Sequence, residues 1–111
     1  MSTKPIKILS WNVNGIRAVH KKGLFLPFIK EHQPDILCLQ ETKAMQGQAE
    51  IDLPEYEEYW HSAERKGYSG TAIFTKTKPL SVANGFSKEI IKKFDLVADE
   101  YGDPCSEGRV I

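Results

Sequence analysis

Asn12 and Glu41 are the side chains best suited to chemistry in this sequence, because each follows an apolar run and carries an oxygen that a hard cation accepts. The first run closes on Trp11-Asn12-Val13-Asn14 and the second on Gln40-Glu41-Thr42-Lys43. In α/β sheets, ligands gather beyond the carboxyl ends of the strands. If the two runs are neighbouring parallel strands, an amide oxygen and a carboxylate meet at one rim. Oxygen-only ligation of that kind suits Mg²⁺, or Mn²⁺ in its place, whereas zinc favours histidine and cysteine. Each residue also has a plainer reading: Asn12 makes a turn, and Glu41 ends a strand. Lys43, two residues past Glu41, could keep that carboxylate ionised or meet a phosphate, or be an ordinary solvated lysine. Arg17, just past the Asn14-Gly15 turn, could offer its guanidinium fork to a phosphate oxygen, or make a surface ion pair. Gly67-Tyr68-Ser69-Gly70 would let the backbone approach a ligand closely, with the tyrosine ring and serine hydroxyl beside it; a tight turn explains the same residues equally well.

Other chemistries find little support. His20, His32 and His61 lie far apart, with no Ser/His/Asp or Cys/His arrangement around them. No glycine-rich nucleotide cradle is present, which tells against kinase or dinucleotide chemistry. Lys92-Lys93 and the acids Asp99, Glu100 and Asp103 read as a solvated face and loop.

The elements that must position these groups follow from hydrophobic spacing. Ile6 to Trp11 reads as a strand ending in the Asn14-Gly15 turn. From Gly23 to His32, Leu24, Phe25, Phe28 and Ile29 recur at helical spacing, with Pro27 tolerated in a first turn and Pro34 as the stop. Asp35 to Leu39 is a continuous apolar run, which predicts a strand buried on both faces. Strand, helix, strand implies a parallel pair. Tyr56 to Ser62, Gly70 to Thr75 and Leu80 to Ala83 read as shorter, hairpin-connected strands. Ser87 is a plausible N-cap for a short helix carrying Ile90, Ile91 and Phe94 on one face. Glu107 to Ile111 reads as the start of a further strand.

Composition bounds the rest. With 111 residues, 41% of them hydrophobic and 27% charged, the chain belongs with ordinary globular proteins of one domain. Its apolar runs fall short of the roughly 20 residues that cross a bilayer, and the start MSTKPIKIL lacks the apolar core of a secretory signal. A cytoplasmic protein with no membrane partner is the expectation. Cys38 sits in an apolar run and Cys105 in a polar stretch, so both read as free thiols. Fifteen basic residues balance fifteen acidic ones. Any contact with nucleic-acid phosphate must therefore be local rather than the work of a large basic excess.

Ser10-Trp11-Asn12-Val13-Asn14-Gly15-Ile16-Arg17-Ala18, Leu39-Gln40-Glu41-Thr42-Lys43, Gly67-Tyr68-Ser69-Gly70-Thr71-Ala72-Ile73-Phe74 and Glu107-Gly108-Arg109-Val110-Ile111 occur in one order along the chain. In this the sequence resembles the exonuclease III family of apurinic/apyrimidinic endonucleases, within the wider endonuclease/exonuclease/phosphatase superfamily. The resemblance covers nearly the whole chain. It implies an α/β fold, part of a four-layer α/β sandwich of two mainly antiparallel or mixed sheets flanked by helices. It also implies cleavage of double-stranded DNA on the 5′ side of abasic sites, and trimming of 3′ ends, with Mg²⁺. On this likeness Glu41 is a metal ligand and Asn12 lies by the metal and the reacting phosphate. Lys43 orders the metal-site carboxylates, and the three are the catalytic candidates. Asn14 stands where some members carry an aspartate near the metal and is a candidate to bind DNA phosphate, Arg17 matches a DNA-backbone contact, and Gly67 with Tyr68 matches a phosphate-holding loop. Trp11 is expected to pack.

Two departures matter. The stretch between Val82 and Glu107 is longer than the family leads one to expect. Family members also continue past the point matching Ile111, and a tyrosine, an Asp-x-Asn pair, a further aspartate and a closing Asp-His pair belong to that continuation. Residues 1–111 are thus expected to be the amino-terminal half of a nuclease domain, completed by a carboxyl-terminal half in cis or as a second chain. The alternatives are an inactive fragment or weak nucleic-acid-binding module, and, more distantly, a superfamily phosphatase.

Overall fold

A computed structural model describes residues 5–94 and 106–111. Four strands form one mixed sheet: β1 (Ile8–Asn12), β2 (Ile36–Gln40), β3 (Glu57–His61) and β4 (Thr71–Thr75). Their spatial order is β1-β2-β4-β3. β1 and β2 run parallel, with Asn12 opposite Gln40. β4 then inserts antiparallel between β2 and β3. Among the described residues three helices accompany the sheet: α1 (Ile16–Lys21), α2 (Phe25–His32) and α3 (Lys88–Lys93).

The parallel β1–β2 pair needs a crossover, and α1 with α2 supplies it. In α2, Pro27 occupies the first turn, where its missing N–H leaves no intrahelical bond unmade. Phe25 and Ile29, one turn apart, are the helix's buried residues. The helix ends where Gln33 turns left-handed at φ 45°, with its N–H on Ile29 O at 2.8 Å, and Pro34 prevents continuation. α1 was not foreseen; it begins directly after the expected Asn14-Gly15 turn.

The core lies on one face of the sheet. Leu37, Phe74 and Ala72 are fully buried and Leu39 almost so, packed with Phe25, Ile16 and Ile29 from the helices. Trp11 stacks over Phe25 and Phe28, with centroids 6.1 and 4.5 Å apart, the packing role expected of it. Burying each of the large side chains contributes about 1.5 to 3 kcal/mol.

The opposite face corrects one expectation. β2 alternates in burial instead of being buried on both sides: Ile36, Cys38 and Gln40 are only half-buried. Among the described residues no further sheet or helix covers them, and irregular residues of 77–83 and 109–111 border this face. The molecule measures 42 × 40 × 18 Å, and its thickness is that of one sheet and one helix layer. Two further expected strands are also not strands. Leu80 to Ala83 pairs with no strand among the described residues, and Leu80 is fully exposed. Residues 107–111 lie beside the end of β3 without joining the sheet; Val110 O accepts from Gly85 N at 2.8 Å and contacts His61 Nδ1 at 2.6 Å.

α3 forms as its residues predict, with Ser87 Oγ accepting from Ile90 N at 3.2 Å. Glu89 near its start and Lys92 and Lys93 near its end complement the helix dipole. None of its residues is buried. Cys105, Asp99, Glu100 and Asp103 lie outside the described residues, as does the rest of 95–105 within the long stretch before Glu107.

Candidate active site

The carboxyl ends of β1 and β2 stand side by side because the two strands are parallel and in register. From that rim each chain leaves by a turn, and the two turns are bonded together. Val13 N donates to Gln40 O at 3.1 Å, Gly15 N to Glu41 O at 2.8 Å and Ile16 N to Thr42 O at 2.9 Å. On the other side, the loop entering β4 closes the set: Thr42 N donates to Gly70 O at 3.1 Å and Lys43 N to Ser69 O at 2.8 Å. Segments 13–16, 41–43 and 69–70 therefore form one hydrogen-bonded rim.

This rim is where the backbone is strained. Asn14, Glu41, Lys43 and Ser69 all have left-handed φ values between 46° and 52°; Gln33, the cap of α2, is the other non-glycine residue of this kind among those described. Each such residue costs of order 1 to 3 kcal/mol and persists only where its surroundings over-determine it. Asn and Ser tolerate the conformation; Glu and Lys gain nothing from it locally. The strain thus sits on the residues whose types first suggested chemistry.

Side chains link the same residues. Asn12 Oδ1 accepts from Asn14 N at 3.0 Å, an Asx turn that aligns the amide oxygen with the loop. Lys43 Nζ donates to Asn14 Oδ1 at 2.5 Å, and Arg17 donates through a guanidinium nitrogen to Lys43 O at 3.0 Å. Asn12, Asn14 and Glu41 are exposed, and Lys43 is half-buried. The expected lysine-to-carboxylate contact is replaced by a lysine-to-amide bond, because Lys43 reaches across to the β1 loop.

For a metal ion this rim offers one carboxylate, Glu41, and the second lone pair of the Asn12 amide oxygen. Among the described residues no three His, Cys, Asp or Glu side chains gather in one place. Such a thin, all-oxygen set fits Mg²⁺, which is held by one or two carboxylates with water and phosphate completing its octahedron, and does not fit zinc.

Gly67 and Tyr68 border a neighbouring cavity of about 360 Å³, whose lining includes Arg17, Arg65, Lys66 and Glu64. Three cations against one acid make it locally positive in a chain with no net charge. Tyr68 is held by two guanidinium groups. Arg65 lies 5.2 Å from the ring centroid and Arg109 lies 5.7 Å from it, while Arg109 also donates to the Tyr68 hydroxyl at 2.7 Å. Reading the sequence missed these two arginines. Arg65 was visible as a cation beside Gly67-Tyr68, but Arg109 is 41 residues away and only the fold returns it. Thr42 was also passed over; it is wholly buried between Glu41 and Lys43.

The histidines serve the scaffold. His20 Nε2 bonds Glu50 O at 2.8 Å, His32 packs on Phe28 with centroids 4.6 Å apart, and His61 meets Val110 O. Burial raises the Cys38 thiol above its usual pKa of 9.0, so it is a weak nucleophile.

Known proteins resemble this chain throughout. An exodeoxyribonuclease of Bacillus subtilis (strain 168) is 51% identical over 84 residues, which are 76% of this chain and 33% of that protein. The DNA repair nuclease APEX1 of Danio rerio is 49% identical over 90 residues, covering 76% of this chain and 28% of that one. The solved structure of an AP endonuclease from Archaeoglobus fulgidus superposes with a TM-score of 0.57 at 33% identity, covering 78% of this chain and 33% of the other. The chain thus spans about a third of the length of these relatives. The Endonuclease/Exonuclease/phosphatase family matches residues 9–110, and with the rim, its strained turns and these likenesses in view, the chain belongs to that family and resembles its exonuclease III-type DNA-repair nucleases.

Proposed function

We propose that this chain supplies the metal- and phosphate-binding side of a Mg²⁺-dependent phosphodiesterase that cuts double-stranded DNA at abasic sites and trims 3′ ends. The observation that carries this reading is the bonded rim, in which Asn12, Asn14, Glu41, Lys43 and Arg17 are gathered from two parallel strand ends at the cost of backbone strain. The likeness to an exodeoxyribonuclease and to AP endonucleases supports DNA as the substrate.

In this reading Glu41 and Asn12 hold the metal. Bound there, Mg²⁺ would supply charge neutralisation at a phosphoryl oxygen. Lys43 keeps the Asn14 amide oriented and adds positive charge beside the scissile phosphate. Arg17 and the Gly67-Tyr68 loop hold flanking phosphates, the glycine by admitting the strand close to the backbone and the arginine by its fork. A group to orient and deprotonate the attacking water is not among these residues. The carboxyl-terminal half of the domain, in cis or as a second chain, is proposed to bring that group. It would also bring a second sheet against the open face of β1 to β4, giving the four-layer sandwich. The thin donor set and zero net charge favour a chain that, alone, binds without cutting.

The test is incision of a duplex carrying one abasic site, by the chain as it stands and by the chain extended with the proposed carboxyl-terminal portion. Cutting that needs the extension, needs Mg²⁺ and is lost in Glu41→Ala supports the proposal. Efficient Mg²⁺-dependent cutting by residues 1–111 alone contradicts it.

A further inference from the structure

The geometry points to Thr42 as a positioning residue for Glu41 and Lys43, an inference that rests on the site reading given above. Thr42 is wholly buried, whereas Glu41 before it is exposed and Lys43 after it is half-buried. Both neighbours are left-handed, at φ 51° and 52°. Two such residues around one ordinary residue need something that fixes the middle one.

Backbone bonds are part of the answer, since Thr42 O accepts from Ile16 N and Thr42 N donates to Gly70 O. They anchor the main chain and leave the side chain free to choose. Gly70 restricts that choice. Its φ of 89° calls for glycine, and a Cβ placed there would overlap Thr42 Oγ1, while the next contacts, Lys43 N and Ser62 Cα, stand off at 3.7 and 3.8 Å. The Thr42 side chain occupies the space that the missing Cβ leaves.

Among the described residues it does so without a hydrogen bond: Thr42 Oγ1 is buried and none of them pairs with it. A buried hydroxyl that bonds nothing does not stabilise the site through its polarity. What Thr42 contributes is volume. Its hydroxyl is the wedge against Gly70, and with that buried side chain trapped inward, the residues before and after it turn toward the rim. Removing the wedge frees the turn to relax its two left-handed residues, which swings Glu41 and Lys43 away from Asn12 and Asn14.

The experiment compares Thr42→Val, Thr42→Ala, Gly70→Ala and the Thr42→Ala/Gly70→Ala double variant. Hydrogen exchange of the Thr42 and Lys43 amides is read in this chain, and the Mg²⁺ concentration for half-maximal incision is read in the extended protein. Thr42→Ala should speed exchange at both amides roughly five- to tenfold, as expected for a methyl-sized hole, and raise the Mg²⁺ midpoint without a matching change in the KM for DNA. Thr42→Val keeps the volume and should leave both readouts near the parent. Gly70→Ala should be impaired, and adding Thr42→Ala should recover part of the loss, because the overlapping oxygen is gone. The inference is overturned if Thr42→Val is as harmful as Thr42→Ala, if Thr42→Ala leaves the exchange unchanged, or if the Gly70 and Thr42 effects simply add. If Glu41→Ala keeps full Mg²⁺-dependent incision, the site reading fails, and the exchange measurements still decide whether the wedge exists.

Discussion

Replacing Gly108 by alanine should peel residues 106–111 from the edge of β3, and the size of the effect can be worked from the contacts. A Cβ at Gly108 would overlap Ala63 N and come within 2.6 Å of Ser62 C and 2.8 Å of His61 O. These are backbone atoms next to a strand, so they cannot rotate aside as a side-chain tip would. Gly108 also has φ 62°, which adds roughly 1 to 2 kcal/mol for any L side chain. Accepting the overlap adds about 1 to 3 kcal/mol more. The alternative is to detach the segment, which sacrifices the bonds from Glu64 N to Ser106 O at 3.0 Å and from Gly85 N to Val110 O at 2.8 Å, the His61 contact and the Arg109 bond to Tyr68. At about 1 kcal/mol for each of these exposed or half-exposed contacts, the segment is held by an amount comparable to the strain, so the strain is relieved by opening of this segment. The perturbation is therefore local. Hydrogen exchange at the Glu64 and Gly85 amides should accelerate by a factor of about 30, corresponding to roughly 2 kcal/mol, while the amides of β2 keep their protection. Exchange at Glu64 and Gly85 within twofold of the parent would refute the steric reasoning. So would equal loss across β2, which would mean the segment is part of the global core.

Three further outcomes follow from the same structure. Lys43→Met removes the bond to Asn14 Oδ1 and should leave the denaturation midpoint nearly unchanged, since exposed polar pairs contribute about 1 kcal/mol or less; incision by the extended protein should fall by about 100-fold. Equal incision by the variant would remove Lys43 from the site. Trp11→Ala strips the stack over Phe25 and Phe28 and should cost about 3 kcal/mol in urea unfolding, with a loss below 1 kcal/mol showing that the stack is dispensable. Tyr56, whose hydroxyl donates to Pro34 O, has its pKa raised above 10.0, first by burial and then by the nearby Glu55 and Asp35 carboxylates. A raised folded pKa means that the contribution is complete below the unfolded value and disappears as pH climbs through the folded one. Absorbance titration should show Tyr56 ionising late and together with loss of stability, alongside Tyr59, whose pKa is raised first by its hydrogen bond to Glu57; Tyr56→Phe should remove the stability-linked step and leave that of Tyr59, and a stability-linked late step that persists in the variant would contradict the assignment.

The parts of the fold that could be read ahead were those in which local pattern and tertiary burial agree. α2 carried its apolar spacing, its tolerated Pro27 and its Pro34 stop, and its end at His32 fell where expected. The parallel β1–β2 pair followed from strand, helix, strand. α1 was missed because six residues with one buried position, Ile16, give no measurable period. Leu80 to Ala83 and residues 107–111 have the composition of strands, but a strand needs a partner's hydrogen bonds, and no local pattern says whether one will be present. The same limit applied to β2, whose continuous apolar run resembled a strand covered on both faces.

The candidate site divides in the same way. Asn12, Glu41 and Lys43 could be singled out because each stands at or just past the carboxyl end of a strand, and strand ends collect ligands. The Lys43 to Asn14 bond could not be read from spacing of 29 residues, and neither could the return of Arg109 to Tyr68. Thr42 escaped notice because its type suggests no chemistry, and its position matters only once Gly70 is brought against it.

The central claim is that Asn12 and Glu41, at the joined tips of two parallel strands, share one divalent ion. Titration of this isotope-labelled chain with Mn²⁺, a paramagnetic stand-in for Mg²⁺, reads that directly through line broadening. The signals of the Asn12 side-chain amide, Asn14 and Glu41 should broaden first, an excess of Mg²⁺ should restore them, and Asp35 and Lys76 at the far end of the sheet should stay sharp. Broadening centred on Asp35 or Glu57, or unchanged broadening at the rim in Glu41→Ala, would contradict the account.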